Sequence, residues 1–315
     1  MTRTLVARAM HLVAALFVVS VGAFALFALA PGDPAEAILR DRNEAPDPAQ
    51  VAALRQELGL DDPLAVRSAR WLVRACRGDL GHSWRTGAPA LAEVARRAPA
   101  TLQLAGCSFL LVVLFSVAAG VVAAFNRGRP ADHVLRIASV LTISLPNYWL
   151  GLLLISVVAV QIGWLPVMGR GSPAHLILPA LTLSAGAAAL QGRVLRATLL
   201  QVMAADHIRF AQAKGLPPRV ILLRHALPNA LPPLVTMWAV SLGHLLGGSV
   251  VVETVFAWPG IGQLTVTSVL GRDIPVVQAI LLTVAAVFML VNLAADLVNR
   301  RIDPRLDRSG GEASP

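Results

Sequence analysis

Long runs of apolar residues divide the chain, and shorter polar stretches separate them. A helix needs about 20 mostly apolar residues to cross a bilayer, because the hydrocarbon core is about 30 Å thick and each helical residue rises about 1.5 Å. We predict a membrane-spanning helix in each of six runs, which makes the chain an all-α membrane protein. The predicted spans cover residues 10–30, 101–125, 134–160, 176–190, 231–255 and 276–298.

The first run shares some features with a secretory signal peptide. Arg3 and Arg8 precede it, and Ala28, Leu29 and Ala30 resemble a cleavage site. Its apolar part is longer than the roughly 7 to 15 residues of a signal peptide, however, and further spans follow it. We therefore interpret it as an uncleaved helix.

The composition and the placement of charge indicate a membrane protein with both termini in the cytoplasm. Of the 315 residues, 56% are hydrophobic and 14% are charged, whereas about a quarter of a globular protein is charged. The net charge of +9 does not indicate nucleic-acid binding, because the excess of Arg lies at the N-terminus, after the second and fourth spans, and in the tail. Cytoplasmic loops are rich in Lys and Arg. We therefore expect a multi-pass protein of the plasma (inner) membrane that contacts lipid and no nucleic acid.

The polar segment 31–100 holds ten Arg and ten Asp or Glu, so its charges cancel. Apolar residues at helical spacing predict helices over 50–60 and 65–76, with Gly59 closing the first. We expect a small external helical domain that either packs on the outer ends of the spans or contacts a protein that delivers a solute. The predicted organisation is an N-terminus and first span over 1–30, the external domain over 31–100, a five-helix core over 101–307 with a cytoplasmic loop at 193–229, and a disordered tail over 308–315.

Two of the predicted spans contain residues that interrupt a membrane helix. Pro146, followed by Asn147, lies in the third span, and Gly247 lies in the fifth. Such breaks can line a translocation pathway, but a kinked packing helix or the close approach of two helices explains them equally well. Glu253, near the outer end of the fifth span, is an ionisable group at membrane depth. It either serves the pathway or anchors the turn that follows it.

The cytoplasmic loop after the fourth span has helical structure of its own. We predict one short helix over 206–214 and a second over 219–227, separated by a bend at Gly215 and ended by Pro228. Two short helices at a bend form a shape suited to docking another protein. The only lysine, Lys214, precedes this glycine, so the chain lacks the Gly-x-x-x-x-Gly-Lys-Ser/Thr loop that holds ATP phosphates. Any ATP must be hydrolysed by a partner, and we expect no enzyme activity in this chain.

Candidate metal ligands and nucleophiles are not clustered. Cys76 and Cys107 lack metal-binding spacing, and His244 stands alone in the fifth span. We therefore predict no metal site and no catalytic residue. His244 and Ser249 share a helix but lie about 140° apart around its axis, which argues against an intramembrane serine hydrolase. An ion-driven secondary transporter is the alternative function, although paired carboxylates near the midplane are not visible.

The loop resembles the coupling loop of the permease subunits of binding-protein-dependent ABC importers. That loop has the form Glu-Ala-Ala, three residues, Gly, nine residues, Ile, any residue, Leu-Pro. The matching positions are Ala211, Gly215, Leu227 and Pro228, and the departures are Arg209, Phe210 and His225. Arg at the first position is similar to the dipeptide, oligopeptide and nickel branch of the family. Segments that resemble the same branch extend over nearly the whole chain, at 31–34, 57–63, 78–81, 164–166, 253–262 and 303–305.

This resemblance implies a type I ABC importer permease fold and a set of partners. The partners are a second homologous permease subunit, two cytosolic ABC ATPase subunits and an external solute-binding protein. The chain itself binds no cofactor, since ATP and Mg²⁺ are used by the partner ATPase. The residues implied to couple to the ATPase are Arg209, Phe210, Ala211, Lys214, Gly215, His225, Leu227 and Pro228.

The substrate stays open between nickel or a metal chelate and di- or oligopeptides. The string Pro146-Asn147-Tyr148-Trp149 and the long stretch 34–60 look closer to nickel and metal-chelate permeases than to dipeptide permeases.

Overall fold

The computed structural model describes residues 32–41 and 47–302, together with Met10, Ala14 and residues 17–22. Regular structure in these residues is helical, with one isolated β-bridge between His82 and Pro89. The predicted all-α class is confirmed. Most of the predicted first span lies outside the described residues, as do the extreme N-terminus and the tail predicted to be disordered.

We name the helices α1 to α12 in chain order. Two of them contain π-helical turns, in which the hydrogen bonds close a wider loop: α6 continues through Ile155–Gln161, and α9 is built from Pro218–Val220, the π-helical Ile221–Ala226 and Leu227–Ala230. The bounds are α1 Pro34–Asp41, α2 Pro48–Glu57, α3 Leu64–Ala75, α4 Ala90–Phe125, α5 Pro130–Ser144, α6 147–161, α7 Ala174–Met203, α8 Asp206–Ala213, α9 218–230, α10 Pro232–Val255, α11 Ile261–Leu270 and α12 Ile274–Ile302.

The long apolar helices correspond to five of the predicted spans. Within the described residues, α4, α7, α10 and the 274–291 part of α12 are each long and apolar enough to cross a membrane, and α5 with α6 makes a fifth span if the bent pair counts as one. The total of six remains a prediction, because the first span is mostly not described. Helix α7 extends past the predicted end at residue 190 to Met203, so residues 193–203, predicted as loop, are helical.

A sharp bend separates α5 from α6. The two helices meet at 110°, because Pro146 has no N–H to donate and holds Leu145 in an extended conformation, with ψ 130°. Past the bend, α6 packs closely on its neighbours: a Cβ added at Gly151 would lie 3.2 Å from the Phe256 ring and 3.4 Å from Thr182. The predicted interruption of the third span is therefore a break between two helices.

Contacts divide the chain into two compact units. Of the described residues, the first unit contains those up to Thr101 and Pro259–Met289, and the second contains Leu102–Trp258 and those from Leu290 to Ile302. In the first unit, the start of α4 packs on α11 and α12. The buried cluster there consists of Ala90, Val94, Leu264, Val276, Ala279 and Ile280.

A buried carboxylate joins two distant parts of the first unit. Asp273 is 3% exposed and precedes α12. It accepts a hydrogen bond from the Ser83 hydroxyl and another, at 3.0 Å, from the backbone N–H of Trp84. The neighbouring Arg272 donates to the Gly32 carbonyl at 2.7 Å. These bonds fix the loop before α4, and Gly32 just before α1, to the beginning of α12.

The predicted helices of the 31–100 segment are present. Helix α2 covers most of the predicted 50–60, and Gly59 follows it at φ +63°, the left-handed conformation that glycine adopts at low cost. The Leu60 N–H reaches back to the Arg55 carbonyl at 2.9 Å, as in a Schellman helix end. Helix α3 matches the predicted 65–76 within one residue at each end. The external location of the segment remains a prediction.

An ion pair links α1 to α2. The Arg55 guanidinium donates to Asp33 at 2.6 Å and to Asp61 at 2.8 Å. The hydrogen bond to Asp33, and to a smaller extent the one to Asp61, raises the pKa of the Arg55 guanidinium. Asp33 also caps α1 by accepting the Ala35 N–H at 2.9 Å. One carboxylate therefore serves both a helix start and a contact between helices.

Candidate functional site

The chain between α7 and α10, residues 204–230, is the candidate site, and we refer to it as the α8–α9 segment. Helix α8 begins at Asp206, whose carboxylate lies in the first turn where the helix dipole favours it. Helix α9 follows after a bend at 214–217. The predicted pair of short helices is confirmed in outline.

One side of the α8–α9 segment is buried in the second unit. It packs on α7 and on the start of α10. The buried cluster consists of Ile208, Ala211, Ile221, Ala226 and Ala230 from the segment, with Ala124, Leu195, Leu199 and Leu234 from the helices around it. Complete burial of an isoleucine side chain contributes about 1.5–3 kcal/mol. The segment is therefore anchored to the long helices by its apolar side.

The opposite side of the segment is exposed and carries apolar and basic groups. Phe210 is 63% exposed and Leu223 is 61% exposed. The Lys214 ammonium lies 4.4 Å from the centre of the Phe210 ring, within range of a cation–π contact. Arg209 is exposed and pairs with Asp206 at 3.3 Å. Exposed apolar side chains rimmed by cations are typical of a surface that binds another protein.

The eight residues predicted to couple to an ATPase are divided between these two sides. Arg209, Phe210, Lys214, Gly215 and Pro228 are exposed, His225 and Leu227 are half-buried, and Ala211 is buried. The structure places them on one continuous segment. Their role in coupling remains a prediction.

Gly215 makes the bend between the two helices possible. Its φ is +74°, a left-handed conformation that costs other residues about 1–2 kcal/mol. The Gly215 N–H donates to the Gln212 carbonyl at 2.9 Å, and the Leu216 N–H donates to the Ala211 carbonyl at 3.3 Å. This pair of bonds is a Schellman helix end. A Cβ at Gly215 would meet no atom of the described chain within 4 Å, so the bend is left open to solvent.

The prediction that Pro228 ends the second helix is wrong, because α9 continues to Ala230. The π-helical turn before Pro228 widens the helix, and the Leu227 N–H bonds to the Leu222 carbonyl five residues back. The Asn229 side-chain amide donates to the His225 carbonyl at 2.6 Å. Together these contacts accommodate a proline that would otherwise remove a hydrogen bond and crowd the preceding turn.

An ion pair that the sequence did not suggest joins α5 to α7, outside this segment. The Arg196 guanidinium donates two hydrogen bonds of 2.7 Å to the two oxygens of Asp132, which is 1% exposed. The Gly128 N–H adds a third bond to Asp132 at 3.0 Å. Such a two-pronged contact fixes orientation as well as distance. It ties the turn between α4 and α5 to the helix that leads into the α8–α9 segment.

Sequence comparisons give the family. Residues 116–308 match the model of the binding-protein-dependent transport system inner membrane component, and residues 1–105 match the model of its N-terminal part. This chain belongs to that family. The chain is 42% identical over 307 residues to the glutathione transport system permease protein GsiC of Escherichia coli strain K12, covering 97% of this chain and 99% of that one. The same protein of Shigella flexneri serotype 5b shows the same identity and coverage.

Solved structures agree at the level of the fold. The chain is similar to an inward-facing MetNI methionine ABC transporter, with a TM-score of 0.55 and 24% identity over 67% of this chain and 96% of that one. It is also similar to an amino acid ABC transporter solved with histidines, with a TM-score of 0.51, 16% identity, and coverage of 68% and 94%. The permease therefore has the type I ABC importer fold.

Family membership decides between the function classes. The chain is a multi-pass permease subunit of an ABC importer in the inner membrane, and it is a transport subunit without an ATPase of its own. Importers of this kind work with a partner permease, an ATPase and a substrate-binding protein. The alternatives of an ion-driven secondary transporter and an intramembrane hydrolase no longer apply. The two residues considered for a hydrolase have separate partners. His244 is exposed and its Nδ1 lies 3.1 Å from the Val240 carbonyl oxygen, whereas the Ser249 hydroxyl is buried and donates to the Leu246 carbonyl.

The four residues predicted to line the translocation pathway lie in different surroundings. Pro146 and Asn147 are exposed at the bend between α5 and α6, and Gly247 is exposed with open space at its Cα. Glu253 is completely buried, and its backbone carbonyl accepts a hydrogen bond from the backbone N–H of Trp258 at 2.8 Å. The pathway role of all four remains a prediction.

The turn after Glu253 is held by contacts within the second unit. Ala257 has φ +48°, unusual for a residue with a side chain. The Arg170 guanidinium lies 5.6 Å from the centre of the buried Trp258 ring and donates to Gln103 at 2.8 Å. The backbone of Glu253 therefore takes part in an ordered turn, and the choice between a pathway role and an anchoring role for its side chain remains a prediction.

Sequence reasoning counted Arg196 among loop cations and overlooked Asp132. Asp132 lies in the first turn of α5, and Arg196 follows the apolar part of α7, where a charged residue is usually interpreted as the end of a span. The sequence did hold one indication of this pair. Asp132 is an isolated acidic residue at the start of α5, and Arg196 follows the apolar run of α7 at helical spacing, so the two could pair between helices. The pairing itself joins residues 64 positions apart, which spacing does not reveal.

Neutralising one member of the Asp132–Arg196 pair is expected to destabilise the permease more than neutralising both. Asp132→Asn and Arg196→Gln each leave one charge without its partner, whereas the double variant leaves none. We expect each single variant to lower the midpoint of thermal unfolding in detergent, and the double variant to lower it by less than either single variant does. Arg193→Gln, at an exposed position of the same helix, is the control. A double variant with a fully additive loss would show that the pair is not coupled.

Proposed function

We propose that the exposed side of the α8–α9 segment docks on a cytosolic ATPase subunit and transmits its movement to the spanning helices. A second, related permease forms the other half of the pathway, two ATPase subunits supply the work, and an external solute-binding protein delivers the substrate. Both termini of this chain lie in the cytoplasm in this arrangement. The observation that supports this proposal most strongly is that the α8–α9 segment has two different sides. One side is buried against α7 and α10, and the other is exposed.

The anchoring explains how a force on the segment would reach the membrane. Ile208 and Ile221 contact the cluster that includes Leu195 of α7 and Leu234 of α10. Close-packed apolar side chains transmit displacement, because interiors have few voids to absorb it. Movement of the segment with a closing ATPase dimer would therefore move these helices together. ATP and Mg²⁺ stay with the ATPase, and this chain holds no cofactor in the proposal.

A bulky residue at Gly215 is expected to uncouple the ATPase without unfolding the permease. Gly215→Trp places an indole on the open bend, where it would meet a docked partner. Loss of about 1.4 kcal/mol of docking energy corresponds to a tenfold loss of affinity, and we expect substrate uptake to fall by at least about that factor. Uptake by cells and co-purification of the ATPase measure the effect.

Gly128→Trp is the matched control for this experiment. Gly128 has φ +75°, its Cβ position is equally open, and it lies in the turn between α4 and α5, which is predicted to face the same side of the membrane. The backbone strain of the two variants is therefore the same. If Gly215→Trp keeps both uptake and ATPase association, or if both variants lose them equally, the assignment of the docking segment is wrong.

We infer that the substrate is a short peptide of the glutathione type. The support is the 42% identity to glutathione permeases over 97% of this chain and 99% of the relative, and the peptide branch was one of the two classes that the sequence left open. Nickel or a metal chelate is the other class. Within residues 32–41 and 47–302, the described His, Cys, Asp and Glu side chains form no group of three that could hold a metal ion.

Uptake measurements test the substrate class. A strain from which this permease is deleted should take up less radiolabelled glutathione than its parent, and a plasmid copy of the permease should restore the loss. Uptake of radioactive nickel should be the same in all three strains. The reverse result, with nickel uptake depending on the permease and glutathione uptake not, would overturn the peptide assignment.

A further inference from the structure

The first unit contains a cavity that the coupling function does not use. Its volume is about 470 Å³, within the range of about 300–1,000 Å³ found for small-molecule sites. Helices α1, α2 and α3, the loop at 81–84 and the first turns of α12 form its wall. Two segments that the sequence singled out, 57–63 and 78–81, contribute residues to it.

Helix α3 presents three arginines to the cavity. Arg67, Arg70 and Arg74 are spaced three and four residues apart, so they lie on one face of the helix. The cavity also has one acidic lining residue, Glu57. The wall therefore carries an excess of positive charge.

The positive charge is only partly compensated within the unit. Arg70 pairs with Asp62 at 2.9 Å, with both side chains largely in solvent. Burial lowers the pKa of the Arg67 guanidinium, whose contact with the Leu60 carbonyl is long, at 3.5 Å. Arg74 has no ion pair with any residue that the structure describes. An anion in the cavity would find guanidinium groups available for charge-assisted hydrogen bonds.

A buried amide without an acceptor lines the same cavity. Gln278 of α12 is 3% exposed, and its Nε2 has no hydrogen-bond partner among the described residues. Leaving such a donor unsatisfied is unfavourable, and a buried donor of this kind indicates a missing acceptor. A carboxylate oxygen in the cavity would satisfy it.

Apolar groups complete the wall. Trp71 is 6% exposed, and Trp84 and Ile274 also line the cavity. The backbone N–H of Trp84 donates a hydrogen bond to Asp273, which fixes this part of the wall to the start of α12. A ligand with both a carboxylate and an uncharged body matches the combination of guanidinium, amide and aromatic surfaces.

We propose that this cavity binds a short peptide through its carboxylate, held by Arg67, Arg74 and the amide of Gln278. The peptide class rests on the proposed function. A carboxylate on the surface of a docked binding protein offers the same chemistry, but a cavity of this volume holds a whole small molecule, so the free peptide is the occupant we assign.

The test is a binding measurement on the full-length permease in phosphatidylcholine nanodiscs. Glutathione should bind, and glutathione with both carboxyl groups esterified should not. Arg74→Gln should weaken glutathione binding about tenfold, because a hydrogen bond to a charged group is lost. Arg77→Gln removes a neighbouring exposed arginine that does not line the cavity, and it should leave the affinity unchanged.

Gln278→Leu separates binding from folding. The substitution keeps a similar volume and removes the unsatisfied donor, so the thermal midpoint should stay the same or rise while the affinity for glutathione falls. Equal binding of the esterified peptide, or equal affinity in all variants, would overturn the proposal. So would variants that weaken only the association of the binding protein and leave free glutathione bound as before.

An error in the assigned binding cavity and an error in the proposed substrate give different experimental results. If cells with the unmodified permease show no permease-dependent glutathione uptake, the proposed substrate is wrong. If that uptake is normal and the Arg74→Gln and Gln278→Leu variants bind glutathione as the unmodified permease does, only the cavity assignment is wrong.

Discussion

One side of the α8–α9 segment is buried against α7 and α10, and the proposed coupling depends on this contact. Ile208 is completely buried and Ile221 is 4% exposed, and both pack in the cluster around Leu195 and Leu234. Without this anchor, Phe210 and its basic neighbours would sit on a loose connection, and a partner could bind them without moving the helices. In the proposed function, this apolar packing lets a contact at the surface move the spanning helices.

Each unit contains a buried carboxylate that fixes the elements around it. The Asp132–Arg196 pair fixes the helix that enters the segment, through two hydrogen bonds of 2.7 Å. In the first unit, Asp273 joins Ser83 and Trp84 to the start of α12. Each uses a carboxylate buried with its donors satisfied, as burial of charge requires. A permease needs such fixed points, because the apolar faces of spanning helices contact lipid as readily as they contact each other.

The sequence predicted the features that depend on local chemistry. Apolar runs located the described spans, and the left-handed glycines Gly59 and Gly215 located helix ends, because few other residues adopt that conformation at low cost. It did not predict features that depend on distant partners. The helix past residue 190 was missed because Arg196 is typical of a loop until Asp132, 64 positions away, is brought beside it. The helix through Pro228 was missed for a local reason, since the π-helical turn and the Asn229 amide that accommodate the proline have no recognisable sequence pattern.

Site-directed cross-linking at Phe210 shows whether the exposed side of the α8–α9 segment meets the ATPase. In a permease with Cys76 and Cys107 replaced by serine, Phe210→Cys places a thiol on the exposed side of the α8–α9 segment. A short bifunctional maleimide should join this thiol to the ATPase subunit in inside-out vesicles. A membrane-impermeant thiol reagent added to intact spheroplasts should not reach it. Labelling of the thiol from outside the cell, with no cross-link to the ATPase, would contradict the account.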